Sequence, residues 1–266
     1  MAELQKSANV VVIGGGVIGC SIAYHLAKLG ISDVVLLERQ QLTCGTTWHA
    51  AGLVGQLRSS INMTKLAKYT SELYRGLEYE TGQATGYRQS GSISIASTAE
   101  RFEEFKRAAS MAKVFDLEVN VMSVSEIAEN YPLIHTDDLY GGIHIPSDGY
   151  ANAIDITQAL AKGARNFGAQ IIQDTKVLRI LHDGKKVTGV NTPKGDIKAQ
   201  HVVICGGMWS GIWPLLSVSM YHYTPANIIT CYSRVLKVCT RIYRYYAITI
   251  SAPIISMMPA NCCRCV

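Results

Sequence analysis

The residues best arranged to do chemistry are three glycines and an acid. Gly14, Gly16 and Gly19 form a Gly-x-Gly-x-x-Gly turn, and Glu38 comes 24 positions after Gly14. Glycines at this spacing let a backbone approach a pyrophosphate with no side chain in the way. Gly14 allows the tight turn, Gly16 the close approach, and Gly19 the packing of a helix against a strand. A phosphate held there sits at the positive N-terminus of the next helix. Glu38 falls where a carboxylate accepts hydrogen bonds from ribose hydroxyls and disfavours a 2′-phosphate. Alone, the glycine pattern is also that of an ordinary strand-to-helix turn. The flanking elements and the acid make it a dinucleotide site.

Those elements are readable in the chain. Residues 9–13 (NVVVI) form a short apolar run suited to a strand buried on both faces. Residues 17–29 carry Ile18, Ile22, Leu26 and Leu29 at helical spacing, and Gly30 is a natural stop. Residues 33–37 make a second strand, so the first 38 residues form a right-handed βαβ crossover. A Gly- and Thr-rich loop over 42–55 precedes a helix at about 62–80, a strand at 92–96 and a helix at 99–114. Ser123 with Glu126 predicts a capping box for a short helix ending before Pro132, and 139–145 reads as a strand. The pattern then returns to a helix at 155–167 with small residues on one face and a strand at 169–172. Two β-rich segments, 176–182 and 186–191, are joined by a turn. Another turn at Gly195-Asp196 leads to a final buried strand at 201–205.

FAD and NAD share the turn-and-acid fingerprint, so the choice rests on the residues after Glu38. From Glu38-Arg39 to Gly45-Thr46-Thr47, the chain places a flexible glycine and two hydroxyls where a second loop returns to the pyrophosphate. The length of that loop favours flavin. Glu38-Arg39 also admits the plainer reading of a surface ion pair.

The bulk numbers set limits. The 266 residues, 48% hydrophobic and 17% charged, read as a globular chain of one or two domains. The net charge of +5 would suggest an acidic partner if it were spread evenly. It lies instead in residues 211–266, which hold Arg234, Lys237, Arg241, Arg244 and Arg264 and no acid. That leaves 20 basic against 20 acidic residues before them, so no nucleic-acid footprint is expected. Cys20, Cys44 and Cys205 lie in the body and read as reduced and structural; Cys231, Cys239, Cys262, Cys263 and Cys265 crowd the tail. No metal is expected, since neither His135 with Asp137 and Asp138 nor the Cys262-Cys263-x-Cys265 group has a second ligand cluster. No run of about eighteen apolar residues suggests a spanning helix. The opening MAELQKSANV lacks the pattern of a leader, so a cytoplasmic location is expected, or the mitochondrial matrix if the source is eukaryotic.

Several stretches together carry a family resemblance. They are the opening strand-turn-helix, the run from Glu38 to Gly52 with its GTTWHAAG core, Glu80-Thr81-Gly82, Thr85-Gly86, Gly91-Ser92 and the closing VVICGGMW from Val202 to Trp209. The chain resembles the D-amino-acid-oxidase-like flavoproteins over about residues 9–210, and more narrowly the sarcosine and dimethylglycine dehydrogenases. GTTWHAAGL and DDLYGG lean toward the sarcosine side. The resemblance implies an α/β fold: a Rossmann-like FAD-binding domain, with a parallel sheet and β-meander, plus an incomplete mixed α+β substrate domain. The corresponding division is 8–83 and 151–210 for FAD, 84–150 for substrate, and 211–266 as a divergent tail. Gly45, Thr46, Thr47, Gly52, Val177, Gly206 and Trp209 are implied as further cofactor contacts beside Gly14, Gly16, Gly19, Glu38 and Arg39.

In the resembled dehydrogenases the His of this WH motif is bonded covalently to the flavin's 8-methyl carbon, and His49 matches it. A noncovalent flavin contact and a plain loop His remain open beside that reading. The family chemistry implied is oxidation of the N-methyl group of a glycine-derived amine, with flavin as hydride acceptor and an unidentified electron acceptor downstream. Arg58 is the nearby cation suited to bind the carboxylate of such a small N-methylated amino acid; a surface or phosphate contact is the alternative. After Ser210 the chain departs from the pattern, as an altered reading frame, retained intron or alternative exon would produce. The rest of the substrate domain and the family's folate-binding half are not recognisable. Two classes therefore stand: an amine-oxidising flavoenzyme, and a truncated, non-catalytic flavin-binding fragment or regulatory paralogue.

Overall fold

The computed structural model describes residues 5–184 and 186–210, and beyond them the backbone of one strand at Ala247–Ile250. The remainder of 211–266, including the Cys262-Cys263-x-Cys265 group, lies outside the described residues. The chain forms two compact units. The first comprises Met1–Gly52, Tyr74–Gly86 and Ala151–Ser233; the second comprises Leu53–Leu73, Tyr87–Tyr150 and Arg234–Val266. Residues 53–73 thus group with the second unit, where the sequence reading keeps them with the first.

The first unit is built on a six-stranded sheet. Strand β1 (Ser7–Ile13) lies between β2 (Val34–Leu37) and β12 (Gly195–Ile204), parallel to both, and β9 (Gln170–Ile172) runs parallel beyond β2. Strands β10 (Arg179–His182) and β11 (Val187–Thr192) continue the sheet from β12 as an antiparallel meander. The apolar runs of β1 and β2 are buried on both faces, as their composition requires; every residue of β2 is buried. Val11, Ile13, Val35, Leu37, Ile180 and Ile197 form one core cluster. The last strand departs from expectation. It begins at Gly195, and its end, expected to be buried, has His201 exposed and Val202–Ile204 only half-buried.

Helix α1 (Val17–Lys28) also departs from its sequence pattern. The large residues at helical spacing do not form the core face: Ile18 is 63% exposed and Leu29, just past the helix, 79%. The buried face is Gly19, Cys20, Ala23, Tyr24 and Ala27, which share the same spacing but are mostly small. Small side chains let α1 approach both the sheet and helix α5 (Ala153–Asn166) closely. At Gly163 of α5, a β-carbon would come within 2.8 Å of the Tyr24 ring. The Tyr24 hydroxyl donates to Glu80 (2.7 Å), and Lys28 bonds both groups at 2.8 Å. These bonds tie α1 to the end of helix α2 (Ile61–Thr81).

The second unit holds two small sheets. Strand β3 (Leu53–Val54) and β4 (Arg88–Gln89) both pair antiparallel with β8 (Gly149–Tyr150). Strand β5 (Ser92–Ala96) pairs antiparallel with β7 (Gly141–Ile145), which pairs in turn with β6 (Asn120–Met122). Strand β13 (Ala247–Ile250) joins β5 in parallel, in a tail where the sequence shows no strand period. Helices α3 (Ala99–Ala112) and α4 (Val124–Asn130) complete the unit, and the predicted capping box at Ser123 and Glu126 is present. Among the described residues no helix is long and apolar enough to cross a membrane.

The close packing of α1 makes a prediction about pH. Burial pushes the Cys20 thiol up from its ordinary 9.0 to about 12, and that of Cys205 to about 11. The folded chain holds these protons where the unfolded chain releases them, so this contribution to stability is present below pH 9 and falls as pH rises toward 12. Cys20→Ala should lose stability less steeply between pH 8.5 and about 10.5 in denaturant titrations than the unsubstituted chain does.

Candidate functional site

The carboxyl ends of β1 and β2 and the chain after β12 converge at a cleft of about 310 Å³ in the first unit. Gly14 leaves β1 with φ +113°, and its amide bonds Leu37 O at 2.9 Å. A β-carbon on Gly14 would run into the Cys205 carbonyl, and one on Gly19 into the carbonyl of Gly14. Both glycines are therefore fixed by backbone-to-backbone contact. Gly15, an unspecified position in the motif, is constrained too: a β-carbon there would lie 2.6 Å from Leu42 and 2.9 Å from Glu38.

Glu38 is 8% exposed and has a structural task that the sequence does not reveal. One carboxylate oxygen accepts the Gly15 amide at 2.6 Å and the other the Gln40 amide at 3.0 Å. The main chain of Glu38 bonds Ile172 and Thr175, so the loop after β9 is fastened to the same point. Thr47 does similar work from the other side. Its hydroxyl accepts the Val17 amide at 3.1 Å and so caps the first turn of α1, whose own N-cap, Gly16, has no side chain to do it.

Gly14, Gly16, Glu38, Arg39, Gly45 and Thr46 all line the cleft, as do Thr47, Val177, Gly206 and Trp209. The Arg39 guanidinium lies 4.2 Å from the centre of the Trp209 ring, a cation–π contact. Among the described residues Arg39 makes no ion pair with Glu38. Gly45 is held small by the same indole, 3.2 Å from where its β-carbon would stand.

Three expected residues are not in the lining. Gly19 packs behind the turn. Gly52 sits at φ +87° against the Ala151 carbonyl. His49 is exposed on the 3-10 turn Thr47–His49, its ring 3.8 Å from that of Trp48. Sequence reasoning missed Cys44, Thr175, Lys176, Leu178, Cys205 and Gly207, which also line the cleft. Cys44, expected to be reduced and structural, is a free thiol, exposed, and donates to Glu38 at 3.8 Å. The only sequence signal for Thr175 and Lys176 is their place directly after a parallel strand end, where such folds gather ligand contacts.

Arg58 belongs to the second unit. Its main chain is fixed by Thr64, whose hydroxyl accepts the Arg58 amide (3.1 Å) and donates to its carbonyl (3.2 Å). The guanidinium is exposed and donates to Leu57 O at 3.3 Å. In the same unit Asp148 is 3% exposed. It accepts the Gln56 amide at 2.8 Å and the Ser92 hydroxyl at 2.6 Å. Burial pushes its carboxyl above the usual range, against the pull of those bonds and of the Arg58 charge.

The cap supplied by Thr47 is testable. Thr47→Val keeps the shape but removes the acceptor for the Val17 amide, and should cost about 1 kcal/mol in thermal or denaturant unfolding. Thr47→Ser should stay close to the parent. Equal stability of all three chains would show that the hydroxyl does not cap α1.

Comparison with known proteins agrees with this architecture. The sequence model of the family described as FAD dependent oxidoreductase matches residues 9–252. Mitochondrial sarcosine dehydrogenase of Homo sapiens is 45% identical over 213 residues, 78% of this chain and 23% of that protein. The mitochondrial pyruvate dehydrogenase phosphatase regulatory subunit of Mus musculus is 42% identical, over 78% of this chain and 24% of its own length. The crystal structure of L-proline dehydrogenase from P. horikoshii superposes with a TM-score of 0.75 at 27% identity, covering 80% of this chain and 56% of that one. The chain thus spans about a quarter of the length of these curated relatives. With a bare glycine turn, a buried acid at its side and a cleft beside both, the chain belongs to the FAD dependent oxidoreductase family.

Proposed function

We propose that this chain uses FAD, held in the first-unit cleft, to oxidise the N-methyl group of a small glycine-derived amino acid, sarcosine or dimethylglycine. The observation that carries the reading is the 45% identity to a sarcosine dehydrogenase across both units, with the glycine turn and cleft intact. The residues present fit the cofactor. The turn is free of side chains where a pyrophosphate would lie, and the cleft falls within the roughly 300–1,000 Å³ of small-molecule sites. Glu38, although bonded to Gly15 and Gln40, keeps lone pairs to accept ribose hydroxyls. Thr46, Gly45 and the Arg39–Trp209 pair form the returning wall.

When bound, the flavin supplies the hydride acceptor, and the protein's part is to place the amine. His49 is the residue we assign to a covalent flavin link, since it is the exposed, nucleophile-bearing member of the 47–49 turn. Arg58 is assigned to the substrate carboxylate, and the electron acceptor is a separate molecule. The names of both relatives place them in mitochondria, which supports the matrix as the compartment.

A second reading, a flavin-binding regulatory chain without turnover, is favoured by the 42% identity to a phosphatase regulatory subunit. One experiment separates the two. Visible flavin absorbance should survive acid precipitation of the parent chain and be lost from His49→Ala. Sarcosine added under anaerobic conditions should bleach that band. A covalent flavin that neither sarcosine nor dimethylglycine bleaches would give the regulatory reading instead.

A further inference from the structure

Asp148 is a buried carboxylate in the second unit, and the dinucleotide cleft does not use it. Its two oxygens serve different segments. Oδ1 takes the main-chain amide of Gln56 at 2.8 Å, and Oδ2 takes the hydroxyl of Ser92 on β5 at 2.6 Å. The Gln56 side chain closes the arrangement by donating to Ser147 Oγ at 2.8 Å. Gln56, Ser92 and Asp148 are 4%, 5% and 3% exposed, so these bonds are made away from water.

Beside them stands Gly55. A β-carbon there would lie 3.4 Å from Asp148 Oδ2 and 3.4 Å from Arg58 Nη1. The carboxylate and the guanidinium therefore flank one glycine as close neighbours. Among the described residues neither bonds the other directly. A carboxylate buried this fully is expensive unless a positive charge stands near, and Arg58 is the cation in position to supply it. An asparagine could keep both bonds, its oxygen accepting the Gln56 amide and its nitrogen donating to the Ser92 hydroxyl, so what the acid alone supplies is the negative charge facing Arg58.

We infer that Asp148 is a positioning residue: it pins the 55–58 segment through Gln56 and, by attraction across Gly55, holds the Arg58 guanidinium over that glycine, with its exposed side left as a receptor for a small carboxylate. The inference rests on the reading of Arg58 as the cation that binds substrate carboxylate. Arg58 then needs no partner of its own at the surface. Its main chain is clamped by Thr64, one donor is spent on Leu57 O, and the rest of the fork remains for a bidentate carboxylate.

The test is calorimetric titration of the full-length, FAD-loaded chain with methoxyacetate, which offers a carboxylate and no amine to oxidise. Arg58→Gln should weaken binding about 100-fold and Asp148→Asn about tenfold. The double variant should bind no more weakly than Arg58→Gln alone, because Asp148 acts through Arg58. A role confined to stability would lower the melting temperature of Asp148→Asn and leave its affinity unchanged. If Asp148→Asn does not fold, Ser92→Ala removes one bond to Oδ2 without touching Arg58, and should weaken binding about threefold. Affinities of Asp148→Asn or Ser92→Ala equal to the parent, with Arg58→Gln weakened, would overturn the positioning role alone. So would penalties that multiply in the double variant. Equal affinity in the parent and Arg58→Gln would overturn the Arg58 reading, and the role of Asp148 with it.

Discussion

The contact between the carbonyl of Gly14 and the α-carbon of Gly19 leaves no volume for a side chain. Much of the first unit depends on that closeness. It lets α1 begin directly off the end of β1, brings the start of a helix dipole to the mouth of the cleft, and sets Gly14 against the Cys205 carbonyl at the end of the neighbouring strand. The same demand for close approach explains the burial of Gly19, Cys20, Ala23 and Ala27 on α1 and the packing of Tyr24 on Gly163. A helix with a larger buried face would stand farther from the sheet and from α5, and the turn could not close.

The sequence foretells some of this for physical reasons and misses the rest for equally physical ones. Two-sided burial of β1 and β2 comes from uninterrupted apolar runs, and the capping box at Ser123 from a local pair that needs nothing outside itself. The inward face of α1 is misread because Ile18, Ile22, Leu26 and Leu29 form the more obvious stripe. Spacing alone cannot say which of two interleaved stripes meets a neighbour that demands small residues. In the cleft, the motif residues are readable because the glycine turn is local. Thr175, Lys176 and Cys205 arrive from segments more than 120 residues away, and only topology brings them to Glu38. The strand at 247–250 is invisible for a related reason, since four residues in a stretch without period give no signal until they find β5.

Two carboxylates illustrate a theme common to both units. Glu38 and Asp148 are each almost wholly buried, and each fixes loop main chain: Glu38 accepts the Gly15 and Gln40 amides, and Asp148 accepts the Gln56 amide with one oxygen and the Ser92 hydroxyl with the other. A buried carboxylate is worth its desolvation only when it fixes something that apolar packing cannot, and a loop's main chain is such a thing. Apolar contacts hold a surface but do not specify the direction of a peptide group. A short hydrogen bond to a charged oxygen does.

The Thr47 hydroxyl on the Val17 amide reaches beyond helix stability. The loop that carries Trp48 and His49 is the same loop that finishes the first helix, so the two cannot become ordered independently. The Gly14, Gly15 and Val17 amides are already taken by Leu37, Glu38 and Thr47. A ligand arriving at this turn therefore meets a backbone whose shape is set in advance. Little conformational entropy is left for this stretch of backbone to lose on binding.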